Sequence, residues 1–415
     1  MICGREREGC GSPPAPPHSY IMLDNVDELR HRRPRITEGR KMACRVADIV
    51  SILDGLAPPW LAEDWDNVGL IFGSEGQEVR AVLVSLDITP EVVEEAREKE
   101  AGLVVCHHPP IFRPLRRLRE DLPEGSLACG IVRAGISVFA AHTNLDASPH
   151  GVNAALAEAL GLLDHRPLAE GRAQSAYKLV TFLPPEHLAE VSRALFEAGA
   201  GTIGDYRECS FRVEGTGTFL PLAAARPAYG EPGRLNEVRE IRLEVLVPGD
   251  AVRAAVERLI ASHPYQEPAF DVYPLRRLAE GGMGRVGDLP RSLSLERLAE
   301  LCGRVLGCPV VRYAGEPGWE IRRLAVCGGR GAGLYGEALK AGAQALLTAD
   351  VNHHEAAEAL AHGLAVIDAG HYYTERVVVP HLSRLLREEA GKRGLEVAVY
   401  ESVVNTCPWF HGGGR

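Results

Sequence analysis

The sequence predicts an α/β protein with mostly parallel sheets, interrupted by a smaller βαββαβ unit. Three observations support this. Short β-rich runs alternate with helical stretches from Val79 to about Leu163, and again from about Arg285. That alternation is the pattern of a parallel sheet covered by helices. Between the two regions, from about Ala176 to Leu275, the order is a strand, a helix, two strands or a hairpin in "YRECSFRVEGTGTFLPL", another strand in "REIRLEVLVP", a helix and a last strand. This is the ferredoxin-like arrangement, read here as an inserted domain.

The elements follow in order. Residues 1–41 are Pro- and Ser-rich ("CGSPPAPPHS") and then basic and broken ("RHRRPRITEGRK"), with no apolar core of a secretory signal. They read as a disordered extension, and the folded part begins at Met42. Val46, Ile49, Val50 and Leu53 have helical spacing. "VRAVLVSLD" is a strand, and "TPEVVEEAREKE" a helix with Thr89 as cap and Pro90 after it. "GLVVCHHP" is the next strand, "LACGIVRAGI" a helix, "SVFAAHTNLD" a strand and loop, and "GVNAALAEALGL" a helix. In the last region "SLSLERLAELCGRVLG" is a helix with a Ser cap, followed by strands ending at "VCGG", "LLTAD" and "VIDAG" and a long helix in "TERVVVPHLSRLLREEA". The expected division is 42–170, a first α/β lobe, 171–280, the insert, and 281–410, a second α/β lobe.

Bulk properties narrow the function. A length of 415 residues suits roughly two or three domains. A net charge of −10 argues against broad nucleic-acid binding, which relies on basic patches. No apolar run reaches the roughly 18 residues that span a bilayer. Ten cysteines without a C-x-x-C pair point to a reduced, cytoplasmic protein in which each cysteine is a small buried hydrophobe.

The chemistry concentrates at predicted strand ends. In "LVVCHHPPIF" two histidines and two prolines follow an apolar run. Adjacent strand side chains diverge, and proline cannot donate to a ladder, so the strand must stop near Cys106. His107 and His108 then leave its carboxyl end, where parallel sheets bind ligands. Other strand ends deliver His142 and Asp146, then Asp350, His353 and His354, then His371 with Glu375 four residues on. His371 and Glu375 share one face if a helix begins near Tyr372. Histidine with carboxylate suits zinc, iron or manganese. A bridging carboxylate would hold two ions roughly 3.5–4 Å apart, as in hydrolytic sites. His353 and His354 open a helix and read as ligands, proton carriers or a solvated helix face, with a place behind the ligands or facing substrate preferred. "VCGGRGAG" (Val326 to Gly333) partly matches an anion-binding loop. A tight strand-to-helix turn is its simpler reading.

Five motifs, "EDWDNVGLIFG", "CHHPPIF", "HTNLDASPHGVNAALAEALGL", "ADVNHHEA" and "GHYYTER", resemble the family of GTP cyclohydrolase I type 2 homologues, the YbgI/YqfO-like dinuclear metal-centre hexamers. The resemblance runs from Met42 to about Phe410, and the middle region looks like the CutA/PII-like insert of the family's longer members. It implies two similar three-layer α/β lobes, a homohexamer and two divalent cations per subunit. Carried over by motif, the ligands are His107, His108, Asp146, His371 and Glu375, the glutamate bridging. His142, His353 and His354 become candidate catalytic proton carriers. "VVNTCPWF" resembles the family's ending but has Cys407 where an acidic or amide residue is common. The implied activity is hydrolytic opening of the GTP purine by hydroxide generated at the metals; Arg113, Arg116 and Arg117, which follow the metal loop, read either as a cationic patch for the triphosphate or as solvated surface. The alternatives are a metal-binding or metal-delivery protein without turnover, and a regulatory hexameric scaffold.

Overall fold

The computed structural model describes residues 42–410 apart from Gln174, Asp205 and 277–280. The expectation for residues 1–41 lies outside that range.

Helix α1 (Val46–Leu56) leads to strands β1 (Gly69–Phe72) and β2 (Ala81–Ser85). Then come α2 (Pro90–Glu98), β3 (Leu103–Cys106), α3 (Pro123–Ala134) and β4 (Ser137–Ala140). β2, β3 and β4 are parallel and β1 is antiparallel to β4. Thr89 caps α2, its side chain accepting from Val92 N, with Pro90 at the first helical position. Val82, Val84 and Val105 face a core shared with Ile49, Ile52 and Leu53 of α1. Leu83, Val104 and Cys106 face Val92, Ala96 and Ile131 of α2 and α3. With both faces covered, these strands need unbroken apolar runs, which is what the sequence provides.

The segment after β4 is not only a loop: α4 (Thr143–Ala147) forms a short turn of helix before α5 (Val152–Ala159). β5 (Leu163–Pro167) then pairs antiparallel with a strand of the other α/β region, so that sheet draws on both sides of the insert.

β6 (Ala176–Leu183), α6 (Leu188–Glu197), β7 (Ser210–Phe219), β8 (Asn236–Pro248), α7 (Val252–Ser262) and β9 (Phe270–Leu275) follow. They make an antiparallel sheet of order β9-β6-β8-β7, the order of a βαββαβ unit. "SFRVEGTGTF" is one ten-residue strand rather than two.

β10 (Arg285–Ser294), α8 (Leu295–Leu306), β11 (Arg312–Ala314) and β12 (Glu320–Arg330) begin the last region. α9 (Tyr335–Lys340), β13 (Ala345–Ala349), α10 (His353–Ala361), β14 (Ala365–Asp368), α11 (His371–Glu375) and α12 (Val378–Lys392) complete it. The sheet order is β11-β14-β13-β12-β10-β5. β12, β13 and β14 are parallel, while the three outer ladders are antiparallel. Leu324, Leu347 and Ile367 face α5 and α8 residues, and Ala325, Leu346 and Val366 face Ala338 and Ala359. The last strand, β15 (Ala398–Glu401), returns to the first sheet and pairs parallel with β2. Two strands thus cross the boundaries expected from sequence, and they tie the two α/β regions together.

Among the described residues no helix is long and apolar enough to cross a membrane. Among the described residues eight cysteines are free, and Cys44, Cys106, Cys302, Cys308 and Cys327 are buried. Cys129, Cys209 and Cys407 are only partly covered, so the buried-hydrophobe reading does not extend to them.

Candidate metal centre

β3 ends at Cys106, as the prolines require, and releases His107 and His108. β14 ends at Asp368, and after the Gly370 turn α11 carries His371 and Glu375 on its one face. The two strand ends meet. Glu375 places Oε2 3.1 Å from His108 Nε2 and Oε1 3.1 Å from His371 Nε2. Oε1 is also 3.9 Å from His107 Nε2, which lies 3.7 Å from Asp146 Oδ1. One ring nitrogen each of His107, His108 and His142 lie within 4.8 Å of one another, and so do ligand atoms of His108, His371 and Glu375.

Each imidazole is fixed by its far nitrogen. His107 Nδ1 donates to Ala141 O (2.8 Å) and His108 Nδ1 to Asp87 Oδ1 (2.7 Å). His142 Nδ1 donates to Asp66 Oδ1 (2.9 Å) and His371 Nδ1 to Asp350 Oδ2 (2.7 Å). A proton held on Nδ1 makes Nε2 the nitrogen that offers a lone pair once the ring is neutral, the tautomer a metal ligand needs. His107 Nε2 and Asp146 Oδ1 are buried without a hydrogen-bond partner, and Glu375 Oε2 lacks an aligned one despite its proximity to His108. A buried polar atom left this way costs about 1–3 kcal/mol. Three such atoms converging on one space fit a cation they would share.

The charges are arranged accordingly. Burial pushes the His107 ring down to about 3, so it is neutral. Burial and then the Glu375 charge raise the Asp146 carboxyl well above the usual range. Burial acts against ionised Glu375 as well, but the contacts with His108 and His371 prevail and hold it well below the carboxylate range.

Glycines create the room. A Cβ on Gly329 (φ +59°) would fall 2.2 Å from Glu375 Oε1, and one on Gly328 would fall 3.3 Å from Glu375 Cγ. "VCGGRGAG" therefore serves close approach of β12 to α11, which neither the anion-loop nor the plain-turn reading foresaw. Gly328 N also donates to Asn153 Oδ1 (2.9 Å), and Asn153 Nδ2 to Asp146 O (2.9 Å), linking this strand to α4.

The predicted residues divide into two groups. His107, His108, Asp146, His371 and Glu375 come together, and His142 joins them closely enough to ligate. His353 and His354 are exposed at the start of α10, packed on each other at 5.4 Å, and belong to neither ligand group. Arg113, Arg116 and Arg117 are exposed on the chain after β3. Sequence reasoning missed Asp66 and Asp87 as orienting carboxylates, and noted Asp350 only as a strand-end residue. Asp350 has a left-handed φ of +53°, a conformation Asp tolerates better than most, and this geometry accompanies its bond to His371. The C-terminal loop also reaches the site: Thr406 Oγ1 donates to Asp87 Oδ2. Asp87→Asn is expected to weaken metal binding by about 10–100-fold without unfolding the protein. Competition with a fluorescent chelator would measure this; unchanged affinity would remove Asp87 from the ligand support.

The fold and the cluster define an α/β protein with a histidine–carboxylate centre where the strand ends of two sheets meet. The chain belongs to the DUF34/NIF3 family (NGG1p interacting factor 3), which matches residues 44–408. It is similar to the "GTP cyclohydrolase 1 type 2 homolog" of Bacillus subtilis, 38% identical over 362 residues, 87% of this chain and 97% of the relative. The protein of the same name from Mycobacterium tuberculosis is 39% identical over 377 residues, 89% of this chain and 97% of the relative. Among solved structures, a Bacillus cereus protein related to NIF3 is 36% identical with a TM-score of 0.69, covering 89% of this chain and 100% of that one. A Staphylococcus aureus protein gives a TM-score of 0.73 at 31% identity, covering 89% and 99%.

Proposed function

We propose that the cluster is a dinuclear divalent-metal centre and that the protein is a metal-dependent hydrolase of the GTP cyclohydrolase kind, working as a homohexamer. The convergence of three buried, unpartnered ligand atoms supports the metal reading most directly. His107, Asp146 and Glu375 would hold one ion, and His108, His371 and Glu375 the other. When bound, such ions supply Lewis acidity and lower the pKa of water toward neutrality.

The remaining roles fall to the chain. His142, held by Asp66 on Nδ1, is the group placed to move a proton between substrate and solvent. Trp65 and Phe112, 58% and 45% exposed, stand 5.5 Å apart and each about 6 Å from the His142 ring. Exposed aromatic faces beside a polar centre suit a substrate with a flat ring, such as a purine.

A second reading, a metal-holding protein without turnover, draws on a different observation. Arg113, Arg116 and Arg117, the sequence's candidates for a triphosphate, lie exposed on the chain after β3 rather than within the ligand cluster.

The test is to incubate zinc-, iron(II)- or manganese-loaded protein with GTP and follow formate and pterin fluorescence. Formate release that a chelator stops is expected, with Trp65→Ala raising KM about tenfold and kcat changing less. No product with any of the three metals would sink the hydrolase reading and leave the metal-holding one.

A further inference from the structure

The sheet of β6 to β9 has helices on one face only. Leu179, Leu183, Leu243 and Val245 pack with α6 and α7. By strand alternation, Phe182, Glu240 and Arg242 stand on the other face. There the segment 220–229 and the turn at Tyr265 border an open cavity of about 860 Å³ over the sheet. That volume lies within the roughly 300–1,000 Å³ of small-molecule sites.

The floor of the cavity is glycine. In "EGTGTF", Gly215 pairs with Glu240 and Gly217 follows on the same face. Nothing lies within 4 Å of a Cβ built on Gly215, whereas one on Gly217 would fall 2.1 Å from Glu240 Oε2. Gly217 thus leaves the place in which the carboxylate sits. Glu240 is only 8% exposed. Its Oε1 accepts from Tyr265 Oη at 2.7 Å, and Oε2 has no hydrogen-bond partner among the described residues. The nearby cation is committed elsewhere: Arg242 Nε donates to Glu244 (2.9 Å) and its guanidinium lies 5.7 Å over the Phe182 ring. The walls are aromatic, with the Tyr265 ring 6.0 Å from Tyr229 and 6.4 Å from Phe219.

We propose that this cavity binds a flat, amino-bearing heterocycle of nucleobase size, with its N–H donors on Glu240 and its ring against Tyr229, Tyr265 and Phe219. A carboxylate on a nearly buried residue, with one oxygen held by Tyr265 and the other without a protein partner, can take a donor from a ligand, and the surrounding rings favour a planar partner. None of these residues belongs to the metal cluster, so the inference stands apart from the proposed hydrolase activity.

Calorimetry on the full chain, with guanosine, adenosine and cytidine as probes and uridine as the control lacking an exocyclic amine, tests it. Saturable binding of one amino-bearing nucleoside per chain is expected, at least about tenfold tighter than uridine. Glu240→Gln should weaken it about tenfold or more, and Gly215→Val, which fills the floor, should abolish it. Metal content should stay unchanged in both variants, and circular dichroism and thermal melts matching the parent chain report that the insert still folds. The proposal fails if none of the three nucleosides binds at up to about 1 mM, or if binding is the same in Glu240→Gln. It also fails if hydrogen exchange shows Tyr229 and Tyr265 covered by a second copy of the chain instead.

Discussion

Replacing Glu375 by glutamine is expected to reduce the metal content from two ions per chain to one or fewer. One carboxylate reaches toward His107, His108 and His371, with one oxygen or the other 3.1–3.9 Å from each imidazole. An amide keeps the shape but loses the charge and one acceptor. Loss of an orienting partner alone costs about 10–100-fold in affinity, so loss of the shared ligand should exceed about 100-fold. The metal-free fold should suffer too. The Glu375 carboxyl is held below its ordinary value of 4.5, so the stability it provides is present above that pH and is lost as pH falls through the depressed folded value. At neutral pH the variant leaves His108 and His371 without their shared anion. Breaking a largely buried pair costs about 3–5 kcal/mol at most, and the part due to His371 is smaller because that ring is partly exposed and screened. Elemental analysis and thermal melts of metal-free protein measure both effects. Two tightly held ions in the glutamine variant would defeat the assignment of Glu375 as the shared ligand.

Much of the centre is legible in the sequence because ligands at strand ends interrupt apolar runs. "LVVCHHPPIF" cannot continue as a strand, and "VIDAGHYYTE" cannot pass Gly370 unchanged, so both breaks mark the edge where the groups gather. The supports leave weaker traces. Asp66, Asp87 and Asp350 are three acids among 56, and their histidines lie 76, 21 and 21 positions away. Asp87 and Asp350 do follow strands, β2 and β13, and that shared position is the signal that finds them. The Gly328–Gly329 pair misleads for a different reason: the atom it makes room for sits on another helix. The same limit explains β5 and β15. Periodicity tells a strand from a helix, but the partner of a strand is decided by long-range packing. Nothing local shows that Leu163–Pro167 joins the second sheet or that Ala398–Glu401 returns to the first.

Loading the metal-free protein with zinc at pH 7 is expected to release at least two protons per chain. Burial opposes a charge on His108, but the Asp87 hydrogen bond and the adjacent Glu375 carboxylate outweigh it and push the ring up to about 10. The Glu375 contact, helped by Asp350 and opposed by burial, pushes His371 up to about 9. Both rings are therefore protonated at pH 7 and must lose Nε2–H to ligate. His107, already neutral, adds none, and Asp146, with its raised carboxyl, adds to the count. Affinity should rise steeply with pH, by about two log units per pH unit below pH 9, and flatten above about pH 10. The metal-free fold responds in the opposite sense. Folded values above the ordinary 6.5 mean that the stability from these two rings is complete below pH 6.5 and disappears as pH rises through about 9 to 10. Calorimetry in two buffers of different ionisation enthalpy counts the protons directly, and His371→Asn should lower the count by one. Zinc binding with no proton released would mean that His108 and His371 are neutral beforehand, and that the charge pairing around Glu375 described above does not operate in solution.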